Sequence, residues 1–118
     1  KLDEDHLGAL NNLGICRQQL EQPEEAIALF RRAVELLPDN PDSLYNLGSA
    51  LMGIGQRQEA LPILLHSLQN NPLAPETHRK LVELYTLLGQ PELAEQHAQA
   101  VIQIETAREA ALNQTTGN

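Results

Sequence analysis

The residues that could do chemistry in this chain are few and scattered. The candidates are four histidines, His6, His66, His78 and His97, and a single cysteine, Cys16. No two histidines have the four-residue spacing of a zinc-binding helix, and we expect the four not to converge. The sequence therefore predicts no metal site, and structural or surface roles for the histidines. Cys16 is expected to pack in the core, because neither a partner histidine nor a helix N-terminus is implied beside it.

No other catalytic pattern is present. The chain contains no glycine-rich phosphate loop, no serine-centred elbow and no carboxylate pair in an acid/base setting. We therefore predict that it is not an enzyme and needs no cofactor. The acidic residues at the chain start, and Glu24 with Glu25, are interpreted as a leader and as helix-start residues that complement the helix dipole.

The composition argues against nucleic-acid binding and against membrane insertion. Sixteen acidic against eight basic residues give a net charge of −8, which disfavours nucleic acid. Apolar runs are far shorter than the ~18 residues that a membrane helix needs, so no membrane insertion is predicted. One cysteine favours a reducing compartment, and the default expectation is cytoplasmic. The chain opens with Lys1 rather than Met, and we expect that it was processed or that it derives from a longer protein.

The sequence repeats itself every 34 residues. Leu13-Gly14 recurs as Leu47-Gly48, Ala26 as Ala60, and Pro38 as Pro72. A third copy begins at residue 75. Apolar residues within each copy follow helical spacing, and proline and glycine mark the boundaries of two helices per copy. Asn40, before Pro41, is predicted to cap a helix.

In these residues the chain resembles the tetratricopeptide repeat family, whose unit is 34 residues long. The resemblance implies an all-α fold, a right-handed superhelical solenoid of three antiparallel helix pairs with an extended last helix. The predicted organisation is a leader that could end an earlier repeat, three repeats and a tail, at residues 1–6, 7–40, 41–74, 75–112 and 113–118.

The resemblance also implies a binding surface, because first helices of successive repeats line a concave groove in this family. Asn12 and Asn46 occupy the same repeat position and are expected to form a ladder that contacts the backbone of an extended peptide. Lys80 continues that series beside Arg79, and both could meet a carboxylate. The candidate peptide-binding groove comprises Asn12, Tyr45, Asn46, Met52, Arg79 and Lys80. An alternative interpretation is that these residues are an ordinary solvated surface.

The carboxylate clamp that holds chaperone tails in some family members is not predicted here. Asn11, Ile15 and Glu76 stand where that clamp requires Lys, Asn and Lys. The leading hypothesis is therefore a protein-interaction module that binds an extended peptide or partner segment of unknown identity. Two alternatives stay open. One is a structural scaffold that forms homo-oligomers through the last helix, where Ile102, Ile104 and Leu112 cannot share one stripe. The other is an accessory repeat domain of a larger enzyme, such as a transferase.

Overall fold

Proline and asparagine set where the helices start. The computed structural model describes the backbone of residues 4–116 and the side chains of residues 6–115, and over this range it is helical without strands. The six helices are α1 Glu4–Gln19, α2 Pro23–Leu36, α3 Pro41–Gly53, α4 Arg57–Asn70, α5 Pro75–Leu87 and α6 Pro91–Thr116. Four of them begin at proline, whose missing amide costs nothing in a first turn.

Helix caps and turns follow the prediction. The Asn40 side chain accepts a hydrogen bond from the Ser43 backbone amide at 2.9 Å, which confirms the predicted cap of α3. Gly55 and Gly89 adopt φ of 83° and 75° in the turns within the second and third pairs. In the first pair Glu21 takes that place at φ 60°, in the left-handed region that disfavours side chains.

The chain forms two compact units, and the first, residues 1–72, contains α1 to α4. Helix α1 packs on α2, α3 packs on α4, and α2 packs on α3. Phe30 and Leu64 are fully buried, and each fills the space left by a glycine of the opposing helix, Gly14 and Gly48 respectively. These close approaches explain why both repeats carry glycine at one position.

The second unit, residues 73–118, contains the helix pair α5 and α6. Leu81 and Leu84 of α5 are fully buried. Helix α6 has 26 residues against 13 in α5, which confirms the predicted extension. An Arg108 guanidinium nitrogen of α6 donates to the Leu73 carbonyl at 3.1 Å.

Both ends of the repeat region differ from the predicted boundaries. Helix α1 begins at Glu4, so residues 4–6 of the predicted leader are its first turn, while residues 1–3 lie outside the described residues. Helix α6 continues to Thr116, four residues into the predicted tail, and residues 117–118 lie outside the described range. Ala110, Ala111 and Leu112, directly before this segment, favour helix and carry it into the predicted tail.

The prediction that Cys16 packs in the core is wrong. Its repeat equivalent Ala50 is only 4% exposed, but Cys16 is exposed. The two residues share a repeat position but have different neighbours. Helix α3 has α1, α2 and α4 packed against it, whereas α1 has only α2 and α3 beside it within its unit.

Candidate functional site

Two asparagines lie at one repeat position on neighbouring helices of the first unit. Asn12 is on α1 and exposed, and Asn46 is on α3 and half-buried. Helices α1 and α3 contact each other directly. Among the described residues neither asparagine side chain takes part in a hydrogen bond within the protein, so both amides are available to donate to and accept from a ligand.

Aromatic and thioether groups lie beside Asn46 on the same helix. Tyr45 and Met52 of α3 are half-buried, seven residues apart, and therefore on one helix face. Ser49 lies between them on that face, and its hydroxyl oxygen is buried without a hydrogen-bond partner among the described groups. The surface around Asn46 thus combines apolar contact area with polar atoms.

A polar contact joins the two helices. The Asn11 amide nitrogen of α1 donates to the Ser43 hydroxyl of α3 at 3.0 Å, and that hydroxyl donates to Asn40 at 3.1 Å. Asn11 therefore positions α1 against α3 next to the asparagine pair. Sequence reasoning missed this role, and the only available signal was that Asn11 and Asn12 are adjacent polar residues on an otherwise apolar helix stretch.

The two predicted basic residues have acidic neighbours of their own. Both lie on α5 in the second unit, where Arg79 forms an ion pair with Glu105 of α6. The Lys80 ammonium is 3.8 Å from the Glu83 carboxylate. Both side chains are therefore partly neutralised by neighbours within their own unit, and their contact with a ligand carboxylate stays a prediction. The structure brings Asn12, Tyr45, Asn46 and Met52 onto neighbouring helices of one unit, and Arg79 with Lys80 onto one helix of the other.

The expectation that no histidines converge is wrong for one pair. His78 of α5 and His97 of α6 approach with 2.9 Å between their Nδ1 atoms, because the helix pair folds residues 19 apart onto each other. Tyr85 stacks on His97 with ring centroids 5.6 Å apart. Burial lowers the pKa of His97 below its usual value, and the nearby His78 lowers it further. One nitrogen of the pair must donate and the other accept, so the pair is most stable when not fully protonated.

The remaining histidines have separate environments. His6 is exposed, and the His66 Nε2 atom lies 2.8 Å from an Asp39 carboxylate oxygen. Over the residues that the structure describes, no group of three or more His, Cys, Asp or Glu side chains could hold a metal ion. In the same range no helix combines the length and apolar character needed to cross a bilayer.

Comparison with known families supports the resemblance to tetratricopeptide repeats. Family models described as "Tetratricopeptide repeat" match residues 8–40 and residues 29–61. The chain is 37% identical over 73 residues to TPR repeat-containing thioredoxin TTL4 of Arabidopsis thaliana, a match that covers 62% of this chain and 11% of that protein. It is 29% identical over 85 residues to Tetratricopeptide repeat protein 37 of Xenopus laevis, which covers 72% of this chain and 5% of that protein. The chain thus spans about a tenth or less of these relatives' length.

Solved structures share the fold. A crystal structure of MamA superposes with a TM-score of 0.81 at 25% identity, covering 88% of this chain and 61% of that one. The second TPR domain of Spaghetti (RPAP3), bound to an HSP90 peptide, superposes with a TM-score of 0.80 at 17% identity, covering 84% of this chain and 92% of that one. These likenesses confirm the predicted all-α fold of helix-pair repeats.

Proposed function

Because this chain belongs to the tetratricopeptide repeat family, we propose that it is a non-enzymatic protein-interaction module whose first unit binds an extended peptide. The observation that carries the proposal is the pair of side-chain amides of Asn12 and Asn46, which form no hydrogen bond within the described part of the chain. They lie on helices α1 and α3, which contact each other. Peptide binding by the RPAP3 domain named above is a property of that protein, and it supports the proposal as an example of the same fold.

The proposed ligand is recognised through its backbone. Each asparagine amide can accept from a peptide N–H and donate to the next peptide C=O, whatever the side chains are. Tyr45 and Met52 would add apolar contact with one or two peptide side chains. An acidic chaperone tail is not the proposed ligand, because Arg79 and Lys80 already have acidic neighbours and the chain carries a net charge of −8.

The test starts from linear peptides selected on the immobilised chain from a random library. Calorimetry then compares the wild type with the double variant Asn12→Ala, Asn46→Ala. Loss of two to three hydrogen bonds predicts an affinity about 10- to 100-fold lower. Asn113→Ala, which removes an exposed amide on α6, is the matched control and should bind like wild type.

A second arm separates backbone recognition from side-chain recognition. Methylating single backbone nitrogens of the selected peptide should weaken binding at the positions that face the asparagines, and the asparagine variants should be insensitive to the same methyl groups. If the double variant binds as tightly as wild type while both melt alike, the proposal is wrong.

Self-association through the last helix is a second candidate function. Ile102 and Leu112 of α6 are 56% and 63% exposed, which leaves apolar surface available to another copy. A mass that stays monomeric over a hundredfold concentration range would exclude it. A role as an accessory domain of a larger enzyme remains a further proposal, and the match to a repeat-containing thioredoxin over 11% of its length is compatible with it.

A further inference from the structure

One carboxylate next to the asparagine pair has no partner. Asp42 is exposed in the first turn of α3, and its carboxylate forms neither an ion pair nor a hydrogen bond with the described residues. Asp39, three residues earlier, differs because its carboxylate oxygen lies 2.8 Å from the His66 Nε2 atom. The Asp42 side chain is therefore a negative charge that is available to a ligand.

Tyr45 lies beside this carboxylate. The two residues are three apart on α3, so their side chains are neighbours on one helix face, and Asn46 follows four residues after Asp42 on that face. Tyr45 is half-buried, and its ring makes no aromatic or cation–π contact with another described residue. A carboxylate next to an open aromatic ring suits a cation, because the carboxylate attracts it by charge and the ring by its quadrupole.

No basic side chain of the two helices already occupies this position. Helix α3 contains no Lys or Arg, and Arg17, the only such residue of α1, donates to the Gln22 Oε1 atom at 2.8 Å. The positive end of the α3 dipole amounts to about half a charge, so the full charge of Asp42 leaves this end of the helix negative. The net charge of −8 adds a longer-range attraction for cations.

The hydrogen-bonding groups favour a guanidinium over an ammonium. The Asn11 amide nitrogen donates to Ser43, the residue after Asp42, while the Asn11 Oδ1 atom is buried without a hydrogen-bond partner among the described groups. This end of α3 thus combines a carboxylate with a further acceptor. A guanidinium carries five N–H donors and no acceptor, and its plane can stack on a tyrosine ring while its edge meets a carboxylate.

We propose that the peptide held by Asn12 and Asn46 carries an arginine, whose guanidinium pairs with Asp42 and stacks on Tyr45. The inference rests on the proposed function, because it assigns a side chain to the peptide whose backbone the asparagines bind. The two contributions are separable, since the asparagines act on any peptide, whereas Asp42 and Tyr45 act on a cationic one.

The test uses two random peptide libraries that differ only at the central position, which is arginine in one and glutamate in the other. Both are selected on the immobilised chain, and we expect binders from the arginine library to be enriched over those from the glutamate library. The central arginine of a selected peptide is then replaced by citrulline, which has nearly the same shape and no charge. Calorimetry should show an affinity about five- to twentyfold lower, from the lost ion pair and cation–π contact.

Variants of the chain assign that loss to particular residues. Asp42→Asn should lower the affinity for the arginine peptide about two- to fivefold and should bind the citrulline peptide like the wild type. Tyr45→Phe should keep the preference for arginine over citrulline, and Tyr45→Leu should reduce it, because only the first variant keeps an aromatic ring. Glu109→Gln on α6 is the matched control, since it also removes one exposed negative charge and should leave both affinities unchanged.

Two results would overturn this inference alone. One is enrichment of the glutamate library equal to or above that of the arginine library. The other is an Asp42→Asn variant that melts like the wild type and keeps the full preference for arginine over citrulline.

The double variant Asn12→Ala, Asn46→Ala keeps this inference separate from the proposed function. If that variant binds as tightly as the wild type while Asp42→Asn weakens only the arginine peptide, the arginine contact is supported and backbone recognition by the asparagines is wrong. If neither library yields a binder, both are wrong.

Discussion

Leu47 and Leu13 allow a direct comparison of a leucine that is covered by a neighbouring helix with one that is not. Both are leucines at the same repeat position, but Leu47 is 3% exposed and Leu13 is 44% exposed. Truncation of a buried leucine to alanine costs about 2 to 5 kcal/mol, from the lost transfer free energy and the cavity left behind. We therefore expect Leu47→Ala to lower the free energy of unfolding by about 3 kcal/mol.

The same truncation at Leu13 should cost much less. Nearly half of that side chain is already hydrated in the folded state, and water can fill the space that the truncation leaves. Full burial of a leucine is worth about 1.5 to 3 kcal/mol, so partial burial without a cavity predicts a loss of about 1 kcal/mol. The two variants should thus differ by about 2 kcal/mol.

Urea denaturation followed by circular dichroism at 222 nm measures both losses. The slope m is fitted for each variant, since a changed slope means that the surface exposed on unfolding has changed. Equal losses, or a larger loss at Leu13, would refute the assignment of the difference to the packing of α2 on α3.

Three further predictions concern single positions. Glu21→Gly should raise the unfolding free energy by about 0.5 to 1 kcal/mol, because relief of the left-handed φ of 60° outweighs the added chain entropy of glycine; a lower urea midpoint would contradict this. Gly48→Ala should lower the melting temperature, because its Cβ would lie 2.6 Å from the Leu64 Cγ atom, whereas Gly53→Ala on the same helix, with no neighbour within 4 Å, should be neutral or stabilising. Stability should fall as pH drops below about 6.5, because the pKa of His97 is lowered on folding and the unfolded chain then binds more protons; a His97→Gln variant should show a flatter profile in the same melting series.

The helix boundaries were largely predictable from the sequence. Proline at a first helical position and glycine in a turn restrict the backbone locally, so Pro41, Pro75, Gly55 and Gly89 mark elements without any knowledge of tertiary contacts. The 34-residue period then predicted which helices form antiparallel pairs, because each repeat is one supersecondary unit.

The burial of side chains on α1 was not predictable in the same way. A repeat position tells which way a side chain points from its helix, but not whether another helix covers it. Cys16 was therefore expected in the core, and it is accessible, as is Leu13, whereas their repeat equivalents Ala50 and Leu47 are buried. Coverage depends on the neighbouring repeat, which a residue's own sequence context does not encode.

Side-chain partners in the second unit were also missed. The contacts between His78 and His97 and between Arg79 and Glu105 join residues 19 and 26 apart on different helices. Their pairing follows from how α5 packs on α6, and spacing along one helix carries no signal of it. The asparagine pair was found because it follows the repeat period, and its role in binding remains a prediction.

The most direct test of the proposed function observes the two asparagine amides themselves. Side-chain N–H resonances of Asn12 and Asn46, assigned by loss in the single alanine variants, are followed in a nitrogen-15 NMR titration with the selected peptide. We predict that both resonances shift together and saturate at the affinity measured by calorimetry, while the Asn113 amide does not move. Peptide recognition by this pair would be contradicted by saturable binding that leaves the Asn12 and Asn46 resonances unshifted. The shifted resonances would then belong to residues of α6 or to residues between α1 and α2.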